Sequence, residues 1–308
     1  MWVSPCLHLN HFERNGPNMD DYIIVTDSTC DITAQMADDL GVKVLPLSVN
    51  MGDITFKNYL DGRTMSFKDF YKKLAEGATP STNAISIGDY LDALEPMLQE
   101  GRDILILSFS SGLSTTYNSS AMATRELSEK YPDRKIYCVD TLAASMGEGL
   151  LVWHAVQRKR KGDTIDAVRD WVEENKFRLC HWFTVDDLHH LKRGGRISAA
   201  TAVVGSMLGI KPVLHVDNEG HLINVEKARG RQSSLLKLLS HMADTAIDPE
   251  NQTVFISHSN CAKDAQWLAA KIKEKLGVRD IYINYIGPVI GSHTGIGTVA
   301  LFFMGTER

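Results

Sequence analysis

The side chains whose types and spacing could do chemistry are hydroxyls, one histidine and a few arginines. Between Ser108 and Ser120 the chain carries eight Ser or Thr residues and one Tyr, with Ser110, Ser111, Ser114 and Thr115 at the centre of the run. Hydroxyls donate hydrogen bonds without contributing charge. A helix pattern follows from about Ser119 to Lys130, and a helix N-terminus offers free N–H groups and a dipole that favours an anion. The stretch reads as a cradle for a carboxylate or a phosphate; helix capping alone would account for about two of its hydroxyls. A second hydroxyl-rich loop, Thr79-Pro80-Ser81-Thr82-Asn83-Ala84-Ile85-Ser86, contains Thr82. His293 lies in a Gly-, Ser- and Thr-rich closing loop over 287–297, where a ligand-binding and a structural imidazole are both open readings. Gly194-Gly195 permits a sharp turn that either swings Arg196 into a cleft or leaves it solvated. Arg229 and Arg231 flank Gly230 after an expected strand, so Arg196, Arg229 and Arg231 could share one rim.

The elements that must position these groups alternate. A first strand over 22–26 is followed by Asp27-Ser28-Thr29-Cys30-Asp31, where Ser28 and Asp31 have capping-box spacing for a helix over 32–40. A second strand over 42–49 is broken by Pro46. Ser66 caps a helix over 67–75, whose Phe67, Phe70, Tyr71 and Leu74 recur at helical spacing. A helix over 87–99 precedes the apolar strand at Ile104–Leu107, which delivers the hydroxyl run. Ligands of open parallel sheets sit beyond such strand ends. A strand over 135–139 and helices over 147–160 and 164–175 complete a parallel α/β half. The second half holds a strand over 179–184 and a small-residue helix over 199–208. A hairpin (212–216 with 221–227) turns at Asp217-Asn218-Glu219-Gly220. Helices over 231–246 and 262–276 and strands over 253–257, 281–286 and 298–303 follow, giving an α+β half. The expected organisation is a disordered extension (1–18), an α/β domain (19–178) and an α+β domain (179–308).

Composition narrows the class. At 308 residues two domains are expected. Apolar content of 44% and 33 basic against 38 acidic residues (net −5) fit a globular protein without a nucleic-acid footprint. The five scattered cysteines form no CxxC pair. That pattern points to a reducing cytoplasm and no zinc site. Residues 1–18 lack an apolar h-region, and either Met1 or Met19 could be the natural start. No run of 18 apolar residues occurs. The phosphate-binding G-x-x-x-x-G-K-[ST], zinc-protease H-E-x-x-H and hydrolase G-x-S-x-G patterns are all missing from the sequence.

Taken in order, several short motifs resemble the DegV family of bacterial lipid-binding proteins over nearly the whole chain after the extension. They are Val25-Thr26-Asp27-Ser28, Pro80-Ser81-Thr82, Ser110-Ser111-Gly112-Leu113-Ser114 and Val139-Asp140-Thr141 in the first half. Leu191-Lys192-Arg193-Gly194-Gly195-Arg196-Ile197, Gly209-Ile210-Lys211-Pro212 and Gly287-Pro288-Val289-Ile290-Gly291-Ser292-His293-Thr294-Gly295 follow in the second. The resemblance implies a two-domain protein holding one long-chain fatty acid in a tunnel between domains. Its carboxylate would be presented to a separate fatty acid kinase that makes acyl-phosphate for phospholipid synthesis. It implies carboxylate binding by Thr82, Ser114 and His293, and partner or acyl-phosphate contacts at Arg196 and at Arg229 or Arg231. It implies no cofactor beyond the bound lipid, and leaves room for transient membrane contact. Departures from the family pattern fall at Asn83-Ala84-Ile85, at Thr115 in place of glycine, and at Ile296 in place of proline. The hydroxyl-and-histidine set survives them, so head-group binding is expected. The alternative is a stand-alone serine hydrolase or acyltransferase using Ser114 and His293, with Asp27 or Asp140 as the orienting acid.

Overall fold

The structure, a computed structural model, describes residues 22–186, 188–198 and 209–308. The expected extension and the small-residue helix over 199–208 lie outside the described residues. The first half runs β1 (Tyr22–Asp27), α1 (Ala34–Leu40), β2 (Lys43–Leu45), β3 (Ser48–Met51), β4 (Ile54–Lys57), α2 (Phe67–Ala75), β5 (Ser81–Asn83), α3 (Ile87–Gln99), β6 (Asp103–Ser108), α4 (Thr116–Lys130), β7 (Ile136–Asp140), α5 (Met146–Arg160) and α6 (Ile165–Asn175). The second runs β8 (Leu179–Thr184), α7 (His189–Arg193), β9 (Ile210–Val216), β10 (Leu222–Arg229), α8 (Arg231–Thr245), β11 (Thr253–His258), α9 (Ala262–Leu276), β12 (Asp280–Tyr285), α10 (Pro288–Thr294) and β13 (Val299–Met304).

The α/β class holds. In the first half β2-β1-β6-β7 form a parallel sheet, and β4-β3-β5 form a small antiparallel one. In the second, β10-β9-β8-β13-β11-β12 form a mixed sheet in which β11 and β12 are parallel. Pro46 does more than break a strand. The segment before it joins the parallel sheet and the segment after it joins the small sheet, because proline cannot donate to a continuous ladder. The expected 79–86 loop is likewise corrected, since Ser81–Asn83 is β5, paired with β3. Capping at the first turn differs too. Asp27 accepts from the Thr29 N–H and Thr33 caps α1, while the Ser28 hydroxyl accepts instead from the Leu47 N–H.

α5 joins the halves. Most of its first eleven residues are buried, from Met146 through Val156, so it has no solvated face to give it an amphipathic stripe. It packs against β1 of the first sheet and against β8, β11 and β13 of the second. Two of its glycines allow that approach. A Cβ at Gly149 would sit 2.7 Å from the Cys30 carbonyl oxygen, and one at Gly147 would sit 2.8 Å from the Phe302 ring. One core cluster consequently runs across both halves, joining Cys30 and Ile32 to Leu150, Phe183, Phe255 and Phe302. Among the described residues no helix is long and apolar enough to cross a membrane.

Candidate functional site

A cavity of about 360 Å³ lies between the two halves, within the range of small-ligand sites. Its polar end is assembled from four separate stretches. β5 carries Thr82, whose placement follows from pairing with Val49 on β3. α10 carries His293 in its last turn; the expected loop is a helix here, started by Pro288 at its first position and ended at Gly295. The Thr82 Oγ1 and His293 Nε2 lie 2.9 Å apart. The turn after β6 supplies Ser111, Ser114 and Thr115, and the turn after α7 supplies Arg196; all four line the cavity. Phe109, Phe183, Val289, Ile290, Ala300 and Phe302 contribute apolar wall.

Burial lowers the His293 pKa to about 4, with further depression from the nearby Arg196 and Arg193 cations, so the imidazole is neutral at pH 7. Its Nδ1 has no protein partner. If Thr82 donates to Nε2, the ring proton sits on Nδ1 and is unspent. If Nε2–H donates to Thr82, the threonine proton is unspent. Either tautomer leaves one proton of this pair unspent, on Nδ1 where the ring packs against Gly194 or on the Thr82 hydroxyl.

The hydroxyl run begins its helix earlier than expected, at Thr116. The Ser114 Oγ accepts from the Thr116 N–H at 3.2 Å and lies 2.9 Å from the Thr116 hydroxyl, so it receives the first N–H of the helix while lining the cavity. Arg196 braces the same region. Its Nε donates to the Leu113 carbonyl at 3.0 Å and its Nη1 to the Gly194 carbonyl at 2.5 Å, tying the serine turn to the double-glycine turn.

Three expected residues lie elsewhere. Ser110 is fully buried and outside the cavity wall; its hydroxyl donates to the Gly220 carbonyl at 3.0 Å and locks the serine turn onto the β9–β10 hairpin. Arg231 opens α8 and pairs with Asp264 at 2.8 Å, and Arg229 is exposed at the end of β10. Neither lines the cavity that Arg196 lines.

The hydrolase alternative needs Ser114, His293 and an acid bonded in series, and the hydrogen bonds of these groups run elsewhere. Ser114 bonds within its own turn and His293 bonds Thr82. Asp27 accepts from Thr29 and from the Phe109 N–H, and Asp140 accepts from the Ser111 and Leu142 N–H groups. Among the described residues no group of three or more His, Cys, Asp or Glu side chains is placed to hold a metal ion.

Other groups at the cavity were not singled out by sequence. Thr294 lines it with an unpartnered hydroxyl. Ser145 lines it with a left-handed φ of 53°, held by Asp31 at 2.6 Å and Ser257 at 2.9 Å. Behind Ser145 lie three buried carboxyls, Asp27, Asp31 and Glu148. Burial raises all three, Asp31 to about 8, and Asp27 adds to the rise at Glu148. A threonine or serine in a helix-entry turn carries no sequence signal that separates these roles from ordinary capping.

The family model "Uncharacterised protein, DegV family" matches residues 22–306. A DegV domain-containing protein of Clostridium perfringens is 50% identical over 290 residues, covering 94% of this chain and 99% of the relative. A DegV lipid-binding protein from Thermotoga maritima has the same fold, with a TM-score of 0.81 at 28% identity, over 94% of this chain and 99% of that one. A DegV family protein from Thermus thermophilus whose solved structure concerns fatty acid binding matches with a TM-score of 0.81 at 30% identity, over 92% and 99% of the two chains.

Proposed function

The chain belongs to the DegV family, and from that premise we propose that it binds one long-chain fatty acid between its halves and presents the carboxylate to a separate fatty acid kinase. The carrying observation is the Thr82–His293 pair at one end of a cavity whose other walls are largely apolar. A buried carboxylate is costly unless it receives hydrogen bonds. Thr82, His293 and Ser114 supply neutral donors. A tail of about fifteen methylenes gains on the order of 12 kcal/mol on leaving water, at roughly 0.8 per CH₂, before the costs of association. The apolar wall then sets affinity and the polar end sets orientation.

The kinase step rests on the family resemblance, with Arg196 as its local support. In that step the carboxylate oxygen takes the γ-phosphoryl group of ATP and ADP leaves. Arginine's fork suits an arriving phosphoryl group. Native mass spectrometry of protein purified without detergent tests binding: one intact fatty acid per chain is expected, and retention of none overturns the reading. Adding ATP and a cognate kinase to the loaded protein tests presentation. Acyl-phosphate, trapped as its hydroxamate, is expected. Its absence with lipid still bound would leave a carrier and remove the presenting role.

A further inference from the structure

Asp31 and Ser145, both with left-handed φ, meet where the two halves join. Asp31, at φ 50°, ends the turn after β1, and Ser145, at φ 53°, precedes α5 and lines the cavity. Strained backbone of this kind persists where its surroundings over-determine it. The Ser145 hydroxyl lies 2.6 Å from Asp31 Oδ2 and 2.9 Å from the hydroxyl of Ser257 on β11. Asp31 Oδ1 accepts from the Gly287 N–H at 2.9 Å, and the Asp31 carbonyl accepts from Asn284 Nδ2 on β12 at 2.8 Å. Gly287 precedes α10, which carries Val289, Ile290 and His293 along the cavity. One buried residue thus ties the first half to β11, to β12 and to the helix that sets the head-group histidine.

Protonation reverses this chain of hydrogen bonds without breaking it. A protonated Oδ2 donates to Ser145, which donates to Ser257. An ionised Oδ2 accepts from Ser145, which accepts from Ser257. What changes is charge. The titratable groups that face Asp31 are Asp27 from β1, Cys30 from the adjoining turn, Glu148 from α5 and Tyr71 from α2, and none of these can be positive. β11, β12 and α10 meet it through Ser257, Asn284 and the Gly287 N–H, which carry no charge. Asp31 is 2% exposed, and burial raises its pKa to about 8. The closed cavity therefore favours the proton, and an opening that admits water at Asp31 favours its loss.

We propose that protonated Asp31 latches the two halves over the bound lipid, and that its ionisation opens the way out of the cavity. This rests on the fatty acid reading above and adds a control on release. With Asp31 near its ordinary 3.8 when open and about 8 when closed, closure weakens as pH rises between those values, by at most about tenfold per pH unit, and levels off above about 8. Release of radiolabelled palmitate from the loaded full-length chain to excess phosphatidylcholine vesicles should accelerate about tenfold or more from pH 6 to pH 8 and change little from pH 8.5 to pH 9.5. Asp31→Asn keeps an acceptor for the Gly287 N–H and a donor for Ser145, so it should release slowly at every pH. Asp31→Ala has neither and should release fast at every pH. A wild-type rate independent of pH, or a rise that survives in Asp31→Asn, overturns the latch while leaving fatty acid binding intact. Retention of no palmitate at any pH overturns the underlying reading instead. If Asp31→Asn fails to fold, ¹³C shifts of the wild-type Asp31 carboxyl decide: titration near pH 8 in the loaded protein is expected, and titration below pH 5 overturns the latch.

Discussion

Gly194 packs directly on the imidazole of His293. A Cβ built at Gly194 would fall 2.2 Å from Nδ1, 3.1 Å from Cε1 and 3.2 Å from Cγ. The two glycines before Arg196 thus have different tasks. Gly195, with φ of 73° and nothing near its Cβ position, makes the turn, while Gly194 admits the histidine. Gly194→Ala should push the ring away from Thr82 and reduce fatty acid retention about tenfold, with little loss of fold. Gly195→Ala should cost about 1–2 kcal/mol of stability through its left-handed φ and leave retention nearly unchanged. Lipid occupancy and urea midpoints measured on both variants separate the tasks; equal effects of the two on occupancy would contradict them.

The head-group donors are expected to contribute individually. Ser114→Ala and His293→Ala each remove one hydrogen bond to a charged group, worth roughly 1.5–3 kcal/mol of binding. Thr82→Val keeps shape while removing the partner of His293 Nε2. Competition between a fluorescent fatty acid and unlabelled palmitate gives the affinities, and wild-type affinity in all three variants would rule out this end of the cavity as the carboxylate site.

Ser110 makes the contrast within the same turn. Ser110→Ala should lower stability by about 1–3 kcal/mol, because the buried Gly220 carbonyl loses its donor, and should leave lipid affinity nearly unchanged. A large affinity loss with unchanged stability would return Ser110 to the ligand.

Much of this arrangement was legible in the residues, and the exceptions have physical causes. Helices such as α2 and α3 show clear apolar spacing with a serine cap, and the structure keeps both their bounds. β8 likewise matches, and its start falls where exposed Phe177 and Arg178 give way to buried Leu179. Short segments decided by distant partners were not legible. Ser81–Asn83 is a strand only because β3 lies beside it, and 288–294 is a helix although Gly, Ser and Thr are weak helix formers. Within the site, Thr82 and His293 are 211 residues apart, and no local pattern reports that they meet. Ser110 and Ser111 look alike in sequence; the hairpin that claims Ser110 is more than 100 residues away.

The buried acids predict a pH effect of definite sign. The single Thr29 hydroxyl faces both Asp27 at 2.5 Å and Glu148 at 2.8 Å, and it can donate to only one, so the arrangement favours a proton on the other. Burial first, then Asp27, raises Glu148 well above its ordinary 4.5. An acid raised in the folded state stabilises fully below its unfolded pKa, and that contribution is lost as pH rises above about 4.5. Glu148→Gln removes the proton requirement while keeping an acceptor for Thr26. Its melting temperature relative to wild type should therefore rise between pH 5 and pH 8. A flat difference across that range would mean that Glu148 does not titrate with folding.

Arg196 and Arg229 separate carrying from presenting. In the proposed reading a carrier's ligand charge would be met by Thr82, Ser114 and His293, whereas a presenter must also receive a phosphoryl group and a partner protein. Arg196 lies in the cavity wall and fastens the serine turn to the double-glycine turn, so Arg196→Ala should lower both lipid retention and kinase-dependent acyl-phosphate, the second more than the first. Arg196→Lys keeps the charge but not the planar fork that serves two carbonyls at once, and should recover only part of the product. Arg229, exposed and away from the cavity, should leave retention unchanged when replaced by alanine and lower product only if it meets the kinase. The assay compares lipid occupancy with ATP-dependent hydroxamate for the three variants beside a cognate kinase. Loss of product in strict proportion to lipid for Arg196→Ala, with no effect of Arg229→Ala, would assign arginine to the pocket alone and remove the case for a presenting surface here.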